Sequence, residues 1–129
     1  MKTNLSPELH ALLEGTLDTL EKLEVVLVLR AAGTELSLTE LAVQLQVGKE
    51  VLRRVVDSVA TSGIIEANDR DILRILPGSW DPQIEEAARI YTSDPQTLMR
   101  TFTRIAMEQI RGRAARTFAD AFRIRKKGD

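Results

Sequence analysis

From Leu36 to Pro77 the chain reads LSLTELAVQLQVGKEVLRRVVDSVATSGIIEANDRDILRILP, and each change of hydrophobic period is marked by a residue that starts or stops an element. Ser37 and Glu40 fit a capping box, S-x-x-E, in which each side chain satisfies a backbone N–H at a helix start. Leu38, Leu41, Ala42 and Leu45 then fall on one face, and the small Ala42 lets a second helix cross closely. After Gln46-Val47, Gly48 is positioned as N-cap of a helix through Ser62, with Val51 or Leu52, Val55, Val56 and Val59 as its buried side. Gly63 ends it. Ile64 to Ala67 and Ile72 to Leu76 are strand-like, joined by the polar turn Asn68-Asp69-Arg70-Asp71. The order is short strand, helix, tight turn, helix and hairpin.

The flanks are helical. Ser6-Pro7-Glu8 is a helix start, with Ser as cap, Pro at the first position and an acid facing the positive dipole end. The helix from Pro7 either pauses near Gly15 or runs on to Ala32, where Gly33 is a natural stop. Leu20, Leu23, Leu27 and Ala31 share a face within it, yet Val25 to Leu29 is apolar on every side. Such a helix must be covered on every side, so a further helix or a second chain is needed. Asp81-Pro82 and Asp94-Pro95 each pair an N-cap with a first-turn proline, giving a short helix from Pro82 to Tyr91 and a long one from Pro95 to about Arg123. Trp80 is placed to staple the first of these. Leu98, Phe102, Ile105, Ala106, Ile110, Ala114, Phe118 and Phe122 form a drifting stripe on the long helix, and Gly112 in its middle marks a kink or a close helix contact.

Composition narrows the class. With 43% hydrophobic and 29% charged residues the chain is globular, and 4% aromatics make its core mostly aliphatic. Cysteine is absent, which excludes disulfides and thiolate metal sites and fits a reducing compartment. The start, MKTNLSPELHALLEG, has no continuous apolar region, and no segment approaches a membrane span, so a cytoplasmic protein is expected. Charge is uneven. Met1 to Pro95 holds nine basic and sixteen acidic residues, a balance of −7, whereas Gln96 to Asp129 holds nine basic and three acidic, a balance of +6. Catalysis has almost no support: His10 is the only histidine, there is no Gly-rich phosphate loop, and Glu85-Glu86 and Asp69/Asp71 read as solvated acids. No enzyme activity, metal or cofactor is expected.

Leu17 to Pro77, just under half the chain, resembles the winged helix-turn-helix transcriptional regulators. The resemblance implies a mainly α fold with a small β-hairpin wing: an N-terminal helical segment over 1–16, a winged helix-turn-helix domain over 17–78 and a C-terminal helical extension with a basic tail over 79–129. It also implies that double-stranded DNA meets the start and outward face of the second helix and the wing tip. Carried onto this chain, those positions are Lys49, Glu50, Arg53, Arg54 and Asp57, with Arg70 in the wing. A guanidinium can bridge guanine or hold a phosphate, and Lys49 at a helix N-terminus suits a phosphate. Glu50 faces a polyanion unless it accepts from cytosine. Gln46 stands where such turns commonly have Gly, and the wing tip holds two acids around one arginine. Arg53 and Arg54 also fit a plain solvated helix face, paired with Glu50 and Asp57 at helical spacing.

Three roles suit the long C-terminal helix. It covers the apolar helix around Val25 to Leu29 and builds a homodimer through Phe102, Ile110, Ala114, Phe118 and Phe122. Its Arg111, Arg113, Arg116, Arg123, Arg125, Lys126 and Lys127 supply phosphate contacts. Or the basic, Phe-containing end docks on a protein partner, or, least favoured, on an anionic membrane. The leading expectation is a small DNA-binding regulator acting as a homodimer. The alternative is a non-catalytic protein–protein interaction adaptor on the same fold.

Overall fold

In a computed structural model, which describes the backbone of residues 4–127 and the side chains of residues 4–119 and Ala121, helix α1 (Pro7–Gly15) begins where Ser6 caps it. The Ser6 hydroxyl accepts from the Leu9 N–H, satisfying a donor with no partner inside the helix. Of the two readings of this region, the helix pauses. Thr16 leaves helical geometry, Leu17 N–H turns back to the Leu12 carbonyl, and the fully buried Leu17 plugs the corner. Thr19 then caps α2 (Leu20–Ala32), which Gly33 closes at φ 66°, a left-handed conformation that costs a glycine little.

β1 (Leu36–Ser37), α3 (Leu38–Leu45), α4 (Lys49–Thr61), β2 (Ile65–Ala67) and β3 (Ile72–Ile75) follow in the expected order. The three strands form one antiparallel sheet in the order β1-β3-β2, with Leu36 opposite Leu73 and Ile65 opposite Ile75. The chain is mainly helical with this small sheet. The capping box at Ser37 and Glu40 is present with both hydrogen bonds. Gln46 ends α3 at φ 56°, so a side chain occupies a left-handed position that glycine would fill without strain. On α4 the buried side is Leu52, Val56 and Val59, with Val55 half-buried and Val51 outside.

The apolar segment of α2 buries Leu23, Val25, Val26 and Leu29, while Ala31 is exposed. It packs on α3, α4 and β3, and on α5 (Asp81–Ser93). The additional cover expected of the C-terminal helix is therefore supplied by α5. Helix α6 (Pro95–Lys127) packs mainly on α5 instead. α5 is also tied to the amino-terminal end, because Ser6 donates both its N–H and its hydroxyl to the Glu86 carboxylate at 2.9 and 2.6 Å.

Two details of α5 differ from expectation. Asp81 is the first helical residue and Trp80 its cap, because the backbone at Trp80 is already near helical. The Asp81 carboxylate accepts from the Gly78 N–H instead of from the helix it starts. The indole of Trp80 packs against the core and lies over Gly78, where an added Cβ would come within 2.9 Å of Nε1. Gly78 is thus a space requirement.

Helix α6 divides at Ile105. Leu98, Thr101, Phe102 and Ile105 are buried, and from Ala106 onward every described side chain is exposed. The single stripe expected from Leu98 to Phe122 is two faces. Phe102 belongs to the core of its own chain, Ile110, Ala114 and Phe118 are outside it, and the side chain of Phe122 lies outside the described residues, as do those of Arg123, Arg125, Lys126 and Lys127. The helix runs unbroken through Gly112, and a Cβ there would meet nothing within 4 Å, so no close contact within the chain requires that glycine. Among the described residues no helix is long and apolar enough to cross a membrane.

Candidate nucleic-acid interface

Helix α4 starts at Gly48, whose extended backbone caps the helix without a side-chain bond, and so leaves the first N–H groups of α4 open to an outside acceptor. Its apolar residues turn inward, which sends Lys49, Glu50, Val51, Arg53, Arg54 and Asp57 to solvent. The neighbouring hairpin turn is built by Asn68. Its side-chain oxygen accepts from the N–H groups of Arg70 and Ile72, at 2.9 and 3.1 Å, and its carbonyl from Asp71. This local bonding by an amide side chain is a common way to stabilise a tight turn. Arg70 projects from the tip.

Asp71 is the junction of the site. It sits at φ 58°, and its carbonyl accepts from Leu38 N–H at the start of α3, 2.9 Å away. Its carboxylate receives both terminal nitrogens of Arg53, at 3.0 and 2.9 Å. The planar guanidinium matches the carboxylate, so the pair sets direction as well as distance. The hydrogen bonds from Arg53 hold the Asp71 carboxyl below the usual range, with Arg53 and Lys49 charges adding to the effect against partial desolvation. The same bonds raise the Arg53 guanidinium. Both groups are exposed, so the pair contributes more to geometry than to stability. It links α4 to the hairpin tip. On the outer side of the hairpin Arg74 grips Glu66, its registered cross-strand partner, at 2.8 Å.

The positions expected from sequence therefore come together on one surface, but they are not equivalent. Arg53 is engaged, and its partner is not Glu50 or Asp57, the helical neighbours that sequence suggests, but Asp71, eighteen residues on. The side chains of Lys49, Arg54 and Arg70 make no hydrogen bond or ion pair among the described residues. Four cations (Lys49, Arg53, Arg54, Arg70) face four acids (Glu50, Asp57, Asp69, Asp71), so the surface is electrically balanced. Sequence reading passed over Val43 and Val47 as exposed apolar residues and offered Val51 for the buried side of α4. Val43 on α3, Val47 in the turn and Val51 on α4 are 72%, 38% and 59% exposed, at four-residue intervals through the turn. The signal available was Val43 itself, which falls off the Leu38, Leu41, Ala42 and Leu45 face.

Elsewhere, Tyr91 donates its hydroxyl to Glu24 at 2.8 Å, which raises the Tyr91 phenol, and His10 lies 3.1 Å from Glu14 on the same helix. Among the described residues, no cluster of three or more His, Cys, Asp or Glu is placed to hold a metal ion. No protein-family model, curated protein or solved structure matches the chain.

Proposed function

We propose that this chain is a non-enzymatic winged-helix regulator that binds double-stranded DNA, with α4 in the major groove and the β2–β3 hairpin as its wing. The supporting observation is the set of three uncommitted cations, Lys49, Arg54 and Arg70, around the open start of α4 and a hairpin tip that the Arg53–Asp71 pair ties to it. The element order and the sheet order β1-β3-β2 support the winged-helix part of the reading. On this reading Lys49 meets a phosphate beside the free N–H groups of α4, and Arg54 holds a second phosphate. Arg70 follows the backbone from the wing. Arg53 is a positioning residue, since its charge is already answered. Glu50 accepts from a cytosine amino group. No cofactor takes part, and the protein works in the cytoplasm, where its cysteine-free composition is at home.

The test is binding of labelled genomic fragments by fluorescence anisotropy at moderate salt. Lys49→Ala with Arg54→Ala is expected to weaken binding at least tenfold while circular dichroism stays unchanged. Equal binding by parent and double variant would remove α4 from the interface.

A second reading, the non-catalytic adaptor, is favoured by the balanced charge of this surface and by Val43, Val47 and Val51. A protein partner would cover those valines. In that case no fragment is bound even at low salt, where phosphate contacts are strongest.

A further inference from the structure

Helix α6 has two apolar sides that point in different directions. Successive residues turn about 100° around an α-helix. Leu98, Thr101, Phe102 and Ile105 therefore line one side, and all four are buried against their own chain. Met99, Thr103, Met107, Ile110, Ala114, Thr117 and Ala121 line a second side centred about 150° away from the first. Met99, Met107 and Ile110 on it are 45%, 49% and 61% exposed, and Ala114 is exposed too. From Thr103 the intervals are four, three, four, three and four, the a/d repeat of a helix that pairs with another helix. Because this side turns away from the body, its own chain cannot cover it.

We infer that a second copy of the chain pairs here, α6 against α6, antiparallel about a two-fold axis at Ala114. A two-fold interface uses the same patch on both copies, so it must complement itself. The small Ala114 at the centre of the seam lets two helices cross closely. An antiparallel register about Ala114 sets Met107 against Ala121 of the second copy, large against small. Residue Gln109 already anchors the inner side of this half-helix, donating to Asp18 at 2.7 Å, which aims the outer side at solvent.

Charge selects both the occupant and the direction. Residues 1–95 carry a balance of −7 and residues 96–129 one of +6. Antiparallel pairing brings the basic end of each chain back over the acidic body of the other. Parallel pairing stacks the two basic ends together, which is repulsive at ordinary salt. Arg113 and Arg116 fall off the seam toward its flank and back, so they do not enter it. The pairing does not depend on the DNA reading, and it would stand if that reading failed.

The full-length chain tests it. Light scattering after size exclusion at about 50 µM is expected to give twice the 14.4 kDa chain mass, and Met107→Glu with Ile110→Glu is expected to give 14.4 kDa with unchanged helix content. The absence of native cysteine makes the register readable. Met107→Cys together with Ala121→Cys is expected to give an oxidised, covalent dimer, and Met107→Cys alone is not. A monomeric parent, or a double-glutamate variant that keeps the doubled mass, overturns the pairing. Efficient cross-linking by Met107→Cys alone overturns the antiparallel register.

Discussion

The outward faces of α4 and α6 are built on opposite plans. On α4 and the adjoining turn, four cations stand among four acids, and one pair, Arg53 with Asp71, is closed by two hydrogen bonds. On α6 the outer side is apolar, from Met99 through Met107 and Ile110 to Ala114. The first surface is polar and geometrically organised, with little net field to attract a polyanion at a distance. If DNA is the ligand, as proposed, its affinity must come from a few placed groups. The second exposes aliphatic area that water disfavours, and association is the direct way to remove it. One face is suited to selecting a ligand, the other to holding a partner.

The largest expected effect contrasts the two sides of α6. Ile105 is 3% exposed and Ile110 is 61% exposed. Ile105→Ala is expected to cost about 2–5 kcal/mol in urea unfolding, as for other buried aliphatic truncations. Ile110→Ala is expected to change the stability of the dilute monomer by less than about 0.5 kcal/mol. Comparable losses would mean that the two sides are not distinct. A smaller effect sharpens the picture of α4's mounting. Gln46→Gly removes the left-handed strain at φ 56° and is expected to stabilise the chain by about 0.5 kcal/mol, since relief of strain exceeds the added unfolded-state entropy. A loss of stability would show that the Gln46 side chain holds the turn by a contact.

The smallest effect concerns the pair that joins α4 to the hairpin. The folded-state pKa of Asp71 lies below its ordinary value of 3.8. The sign follows from that direction: the pair contributes fully above the ordinary value and is lost as pH falls from there through the lowered value. Hydrogen exchange at the hairpin amides of Arg70 and Ile72 is expected to speed up in Arg53→Ala at neutral pH. In the parent a similar loosening is expected only as pH falls below about 3.8. Unchanged protection in Arg53→Ala would separate the hairpin from α4.

Much of the local structure was legible from residue chemistry. Ser6, Ser37, Gly33, Gly48 and Gly63 each act at the element boundary that their chemistry suggests. These signals are read within one turn of chain, where sequence neighbours are also spatial neighbours. What was not legible depends on distant partners. Arg53 has acids at helical spacing in Glu50 and Asp57, yet the folded hairpin brings Asp71 into better geometry. The apolar α2 required further cover, but only the folded chain shows α5 lying on it and α6 packing mainly on α5. The stripe on α6 failed for a geometric reason: a broad band at helical spacing becomes two faces once a helix outruns the body it packs on. The role of Asp81 turned on one backbone angle at Trp80, which no residue type determines.

The most direct test of the central proposal, DNA contact by α4 and the hairpin, is the slope of log affinity against log salt for parent and Arg54→Ala. With Lys49, Arg54 and Arg70 each on a phosphate, the expected slope is about −2.7 per bound chain for the parent and shallower by about 0.9 per bound chain for the variant. No binding at low salt, or identical slopes for the two proteins, would contradict the proposal.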